Sequence, residues 1–118
     1  MGAIYSLTTS PGGSGNPSPA NVASDEMTES TTPATLRDVP TFTDVCAEMM
    51  LTNAADSFLY LKFFSSSPTG VVPSATDFDI IVPPQSVLSL PGTNDGIQAV
   101  SGATGAGKIK LASWLVPA

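Results

Sequence analysis

The 118-residue chain has no histidine, a single cysteine (Cys46) and only four cations, Arg37, Lys62, Lys108 and Lys110. Each shortage excludes a class of protein. Without histidine, the usual base for a nucleophilic serine or cysteine is missing, so triad-type hydrolysis has nothing to activate its nucleophile. One cysteine closes no intramolecular disulfide, and no cluster with zinc-ligand spacing exists around it. Four cations against ten carboxylates give a net charge of −6. That is the wrong sign for neutralising phosphates, so neither nucleic acid nor anionic lipid is an expected partner. No apolar run approaches the ~20 residues of a membrane helix. The stretch Met1-Gly2-Ala3-Ile4-Tyr5 lacks the basic start and apolar run of a signal peptide. Gly2 with Ser6 fits the loose myristoylation pattern, which is short and frequent by chance. These features predict a soluble chain of cytoplasmic synthesis, with no metal, no cofactor and no membrane partner.

Aromatic residues are nearly absent from the first forty positions. Seven of the eight follow Pro40: Phe42, Phe58, Tyr60, Phe63, Phe64, Phe78 and Trp114. Before Pro40 stands only Tyr5, in a short apolar patch with Ile4 and Leu7. Pro11-Gly12-Gly13-Ser14-Gly15-Asn16-Pro17-Ser18-Pro19 follows, and then an acidic, hydroxyl-rich stretch from Ser24 to Thr32. Such composition buries too little apolar surface to offset the entropy of ordering. Two units are therefore expected: an extended or disordered N-terminal arm over 1–40 and a β-sandwich domain over 41–118. Ile4, Tyr5 and Leu7 would anchor the arm on a neighbouring protein. A folding unit of under eighty residues buries only about 60% of its unfolded surface. With no disulfide or metal to help, oligomerisation or docking on a larger surface is its expected support.

After Pro40 the pattern is that of strands. Six are expected, over 41–51, 57–64, 77–82, 86–90, 97–100 and 108–116, at intervals of roughly 10 residues, and no helical period is sustained. The second places Leu59, Leu61 and Phe63 on one face, and Phe58, Tyr60, Lys62 and Phe64 on the other. The third points Phe78, Ile80 and Val82 inward and Asp77, Asp79 and Ile81 outward. In the last, Ile109, Leu111, Ser113 and Leu115 oppose Lys108, Lys110, Ala112 and Trp114. Pro83-Pro84, Pro91-Gly92 and the Gly/Ala-rich run 102–107 punctuate the series. The fold class is all-β, a small antiparallel sandwich or barrel of about six strands.

Gly102-Ala103-Thr104-Gly105-Ala106-Gly107-Lys108 spells a phosphate-binding loop as far as its lysine. The chemistry also needs a Ser or Thr next for magnesium, and a helix opened by the loop. Here Ile109 comes next and a strand follows, so the run is expected to be a hairpin turn. Asp77 and Asp79 share a strand face, as a glycosidase pair or a weak calcium site could, but a solvated edge accounts for them. Cys46, inside an apolar strand, is expected to be a small core residue. No catalytic residues are assigned. Tyr60, Phe64 and Trp114, large amphipathic or apolar side chains suited to half-buried contacts, are the domain's candidate partner-binding residues.

Four segments resemble small virion structural proteins of tailed bacteriophages. Asn53-Ala54-Ala55-Asp56-Ser57-Phe58-Leu59-Tyr60-Leu61-Lys62-Phe63 is similar to their turn followed by an L-Y-[LV]-K strand. Ser74-Ala75-Thr76-Asp77-Phe78-Asp79-Ile80 resembles an S-A-T-x-[FY] strand opening. Pro84 to Pro91 matches their short strand between proline or glycine turns, and Gly96 to Ile109 resembles a G-I-x-x-x-x-x-A-x-G-x-[AG]-x-[IV] ending. The resemblance covers about residues 48–116 and leaves the arm out. It implies a β-sandwich structural protein found on heads, necks or tails, with no functional residues to carry over. The expectation is a non-enzymatic capsid decoration or cement protein located in the virion. It would stabilise the head by binding major capsid subunits and would itself be a homo-oligomer, with a trimer as the guess. The alternative is a tail, neck or fibre component that binds another virion protein or a host surface glycan.

Overall fold

Period-two alternation builds strands from Val45 onward where the sequence predicts them, and the chain before Pro40 adds two more. The computed structural model describes residues 22–40 and 44–117. Its strands are β1 (Val22–Thr28), β2 (Ala34–Arg37), β3 (Val45–Asn53), β4 (Leu59–Phe64), β5 (Ile80–Val82), β6 (Ser86–Pro91), β7 (Gly96–Ser101) and β8 (Lys108–Val116). There is no helix among the described residues, so none is long and apolar enough to cross a membrane.

Two four-stranded antiparallel sheets stack, in the orders β1-β8-β3-β6 and β2-β7-β4-β5. Strands pair as one long hairpin would, first with last: β1 with β8, β2 with β7, β3 with β6 and β4 with β5. Rolling that ribbon on itself adds the pairs β3–β8 and β4–β7. The result is the jelly roll, an eight-stranded double sheet. β-sandwich is the expected class, and the structure has it with eight strands instead of six.

Between the sheets lies a core of Met49, Leu51, Leu59, Leu61, Ile97, Ile109 and Leu111, each almost completely buried. Full burial stabilises by roughly 1.5–3 kcal/mol per side chain of this size, and it fixes the register, because a one-residue slip would turn every one of them to solvent. Two bulges adjust that register. One, between Cys46 and Glu48 in β3, produces the imperfect alternation seen in the sequence there. The other lies between Thr35 and Arg37 in β2, where the consecutive residues Leu36 and Arg37 are both buried. Doubling residues against one partner is what a bulge does.

The division at Pro40 is corrected accordingly. Residues 22–37, assigned to the arm, supply an edge strand to each sheet. Their apolar content is small because an edge strand needs few inward contacts: Met27 and Leu36 are the ones packed on the core. Ile4, Tyr5 and Leu7 lie outside the described residues, as do Thr41 and Phe42 of the expected first strand.

Candidate functional site

The outer face of the β2-β7-β4-β5 sheet is divided in two. One half is covered by a strap, the connection between β4 and β5. The strap holds its shape through paired hydrogen bonds between Ser74 and Asp77, from each N–H to the other's carbonyl at 2.9 and 3.1 Å, and through Gly70 at φ 80°. It is tied down by the Lys62–Asp77 ion pair at 2.8 Å and by Gln98 Nε2 donating to the Val71 carbonyl at 3.4 Å. Asp79 accepts from the Phe63 N–H at 2.9 Å, and its own N–H donates to the Leu61 carbonyl at 2.7 Å. The two aspartates that shared a predicted strand face thus fasten the strap. β5 begins only at Ile80, so the alternation read from Asp77 onward does not hold for Phe78.

The other half is uncovered and apolar. Tyr60 stands in register with Val100 on one side and Ile81 on the other. The Phe78 ring lies 5.6 Å from the Tyr60 ring, tilted by 45°. Phe58, two positions before Tyr60 and on the same face by alternation, extends the ladder through its carbonyl, which accepts from the Gly102 N–H at 2.9 Å. Phe58, Phe78 and Ile81 are 44%, 37% and 41% exposed. Four large side chains of this kind in one place form a patch of the sort that marks an interaction surface.

A second, smaller patch lies on the opposite side of the molecule, on the outer face of the β1-β8-β3-β6 sheet. Trp114 pairs with Val22 in register, and Val116 with Val45; Trp114 is half-buried and the three valines are exposed. Next to it Ser24, Ala112 and Met50 form a low row that leaves a shallow hollow, with Lys110 and Glu26 beyond.

The candidate residues of the domain are therefore not one site. Tyr60 belongs to the first patch and Trp114 to the second, on different sheets. Phe64 is only 6% exposed, on the strapped half of its face, and a Cβ at Gly96 would come within 2.2 Å of its ring. In this fold it fills the gap over that glycine and does not present itself to a partner. Ile81 was legible as an outward residue in the sequence, and Phe58 as sharing a face with Tyr60. Phe78 was not, since extending the β5 alternation backward turns it inward.

The phosphate-loop spelling at 102–108 is a hairpin turn between β7 and β8. Its glycines serve packing: a Cβ on Gly107 would strike the Ala55 backbone at 2.5 Å. The turn is knitted to the β1–β2 connection, with the Glu29 N–H donating to the Gly107 carbonyl at 2.8 Å and Ser57 Oγ donating to Glu29 Oε2 at 2.5 Å. Lys108 turns to Thr28 Oγ1 at 2.9 Å and Glu26 at 3.7 Å. A hollow of about 370 Å³ at this end is lined by Glu29, Asp56, Ser57 and Gln85, whose side chains already bond protein groups. No group of three His, Cys, Asp or Glu side chains that could hold a metal ion occurs among the described residues.

The remaining cation, Arg37, is inside. Its guanidinium donates to the Thr93 and Asp95 carbonyls at 2.5 and 2.6 Å, to Ser113 Oγ at 3.0 Å and to Met49 Sδ at 3.4 Å. Cys46, buried as expected, lies 3.8 Å from the same nitrogen. All four cations are thus engaged within the molecule, three with carboxylates and one with carbonyls.

No protein-family model matches the chain, and no curated protein does. Among solved structures it is similar to a chain from the disulfide-linked pili that form Bacillus endospore appendages, at 19% identity and a TM-score of 0.51. The likeness covers 80% of this chain and 86% of that one. At this identity it concerns the fold.

Proposed function

We propose that this chain is a non-enzymatic structural protein of a bacteriophage particle, a decoration or cement protein that stabilises the head by binding major capsid subunits. The observation that carries the reading is the pair of apolar patches on opposite outer faces, Phe58-Tyr60-Phe78-Ile81 on one sheet and Val22-Trp114-Val116-Val45 on the other. A rigid double sheet with an adhesive surface on each side is suited to bridging neighbours. Resemblance to small phage virion proteins across most of the sandwich supports it, and jelly rolls recur in viral capsid domains, which is support by fold analogy. The endospore pilus neighbour is an example of the same architecture used in a repeating assembly. An acidic surface whose cations are internally paired suits the outside of a shell, away from DNA.

Copy number per purified particle, measured by quantitative mass spectrometry, tests the reading. Decoration of a shell with icosahedral symmetry requires copies on the order of hundreds, whereas a neck, tail or fibre component is set by a ring of about a dozen or fewer. A value in the second range replaces decoration by the tail reading.

A further inference from the structure

The two ends of the sandwich differ in what they offer. β1 runs from Val22, beside Trp114, to Thr28, beside Lys108. β1 therefore begins at the Trp114 end, away from the β7–β8 turn. The uncovered aromatic patch starts at that turn, where Gly102 bonds the Phe58 carbonyl. The start of β1 and the patch lie toward opposite ends and on different sheets.

The preceding 21 residues have a composition that matches the patch. All ten carboxylates of the chain occur from Asp25 onward, and the first cation is Arg37, so residues 1–21 carry no charged side chain. Apart from Met1, their large apolar residues are Ile4, Tyr5 and Leu7, followed by fourteen positions dominated by Ser, Thr, Gly, Pro and Asn. At up to ~3.3 Å per residue, such a tether spans at most about 46 Å, against a molecule measuring 47 × 30 × 19 Å. To join its own patch, a segment tethered at Val22 has to cover the whole length of β1 and round an edge to the other sheet. A neighbour placed beside Val22 needs no such path. Two copies of a chain with net charge −6 also repel, and a segment without charged side chains brings no further carboxylate to the contact.

We infer that the Ile4–Leu7 segment of one copy docks on the Phe58-Tyr60-Phe78-Ile81 patch of a second copy. The contact joins two different surfaces, so it is head-to-tail and repeats until it closes into a ring or continues as a filament. This deepens the attachment reading by naming a second copy as the partner of one of the two patches. It is measured on the isolated protein, so its failure leaves particle attachment through the Trp114 patch untouched, and the failure of particle attachment leaves it untouched in turn.

Sedimentation velocity on the full chain tests it with two variants. One carries Ile4→Ser, Tyr5→Ser and Leu7→Ser; the other carries Phe58→Ser and Ile81→Ser, both at exposed positions. The unaltered chain is expected to form concentration-dependent species larger than a dimer. Each variant alone is expected to associate on the order of a hundredfold more weakly or less, given the apolar area removed. An equimolar mixture is the decisive sample. One variant retains the patch and the other the segment, so a single contact can form, and the mixture should assemble to a dimer and stop. Phe58→Leu with Ile81→Val, which keeps the patch apolar, should restore larger species and separates docking from misfolding. Variants that associate as tightly as the unaltered chain, or a mixture that stays monomeric, overturn the inference. The second of these outcomes with a monomeric unaltered chain would mean that the segment folds back on its own patch.

Discussion

Asp25 and Arg37 show how single residues shape this fold. Asp25 is in register with the buried Leu111, and Arg37 with the buried Ile97, so both point between the sheets. Burial holds the Asp25 carboxyl above its ordinary 3.8; attraction from the Arg37 guanidinium works against the rise and repulsion from Asp38 adds to it. A raised folded-state value means that the native chain binds this proton more tightly than the unfolded chain. The site therefore favours folding at low pH, and that contribution is lost as pH rises from about 3.8 through the raised value. Asp25→Asn is accordingly expected to raise the melting temperature by a few degrees at neutral pH, with the gain shrinking toward zero in acid, where wild-type Asp25 is itself protonated. Thermal unfolding of both chains across that pH range checks this, and a lower melting temperature for the variant at neutral pH would count against it. An inward carboxylate on an edge strand also discourages another chain from pairing there. Neither role is legible in the sequence, where Asp25 stands in an acidic, hydroxyl-rich stretch that reads as solvated.

At the scale of elements, what could be read depended on how much of each strand faces the core. β4 and β8 touch it along their whole length, and the alternation of Leu59 with Leu61 and of Ile109 with Leu111 gave their inner faces correctly. β1 and β2 touch it through little more than Met27 and Leu36, so their pattern is drowned by Ser, Thr and acidic residues and the arm seemed to run through them. β5 has three residues, too few for alternation to mark its start, and Phe78 was misassigned as a result. The order of strands in the sheets, which depends on long-range pairing, had no local signal at all. Gly96 illustrates a constraint that only the register exposes. It sits opposite Phe64, and a methyl group there would overlap the Phe64 ring. Gly96→Ala should expel that ring from its cover under the strap, costing about 2 kcal/mol, or roughly 10 °C in melting temperature. Chemical denaturation of the single variant and of its combination with Phe64→Leu measures it. Equal losses in Gly96→Ala with and without the smaller partner would show that the clash is not the cause.

Among the described residues the chain is a ribbon rolled on itself, with its cations turned inward or paired and with Phe58, Tyr60, Phe78 and Trp114 on two outer faces. Stability comes from the jelly-roll core, and what remains at the surface includes two apolar patches. In the sequence, the lack of histidine, the single cysteine and the few cations leave little chemistry to assign, and the expectation of attachment follows from that shortage. The two patches are where the proposed attachment would act, one of them beside Val22 at the start of β1. The most direct test is an image reconstruction of the purified particle at a resolution that traces β-strands. The expected result is this jelly roll on the outer surface of the head, spanning contacts between major capsid subunits with its Trp114 patch at a joint. Its absence from the particle, or a position with that patch open to solvent, would contradict it.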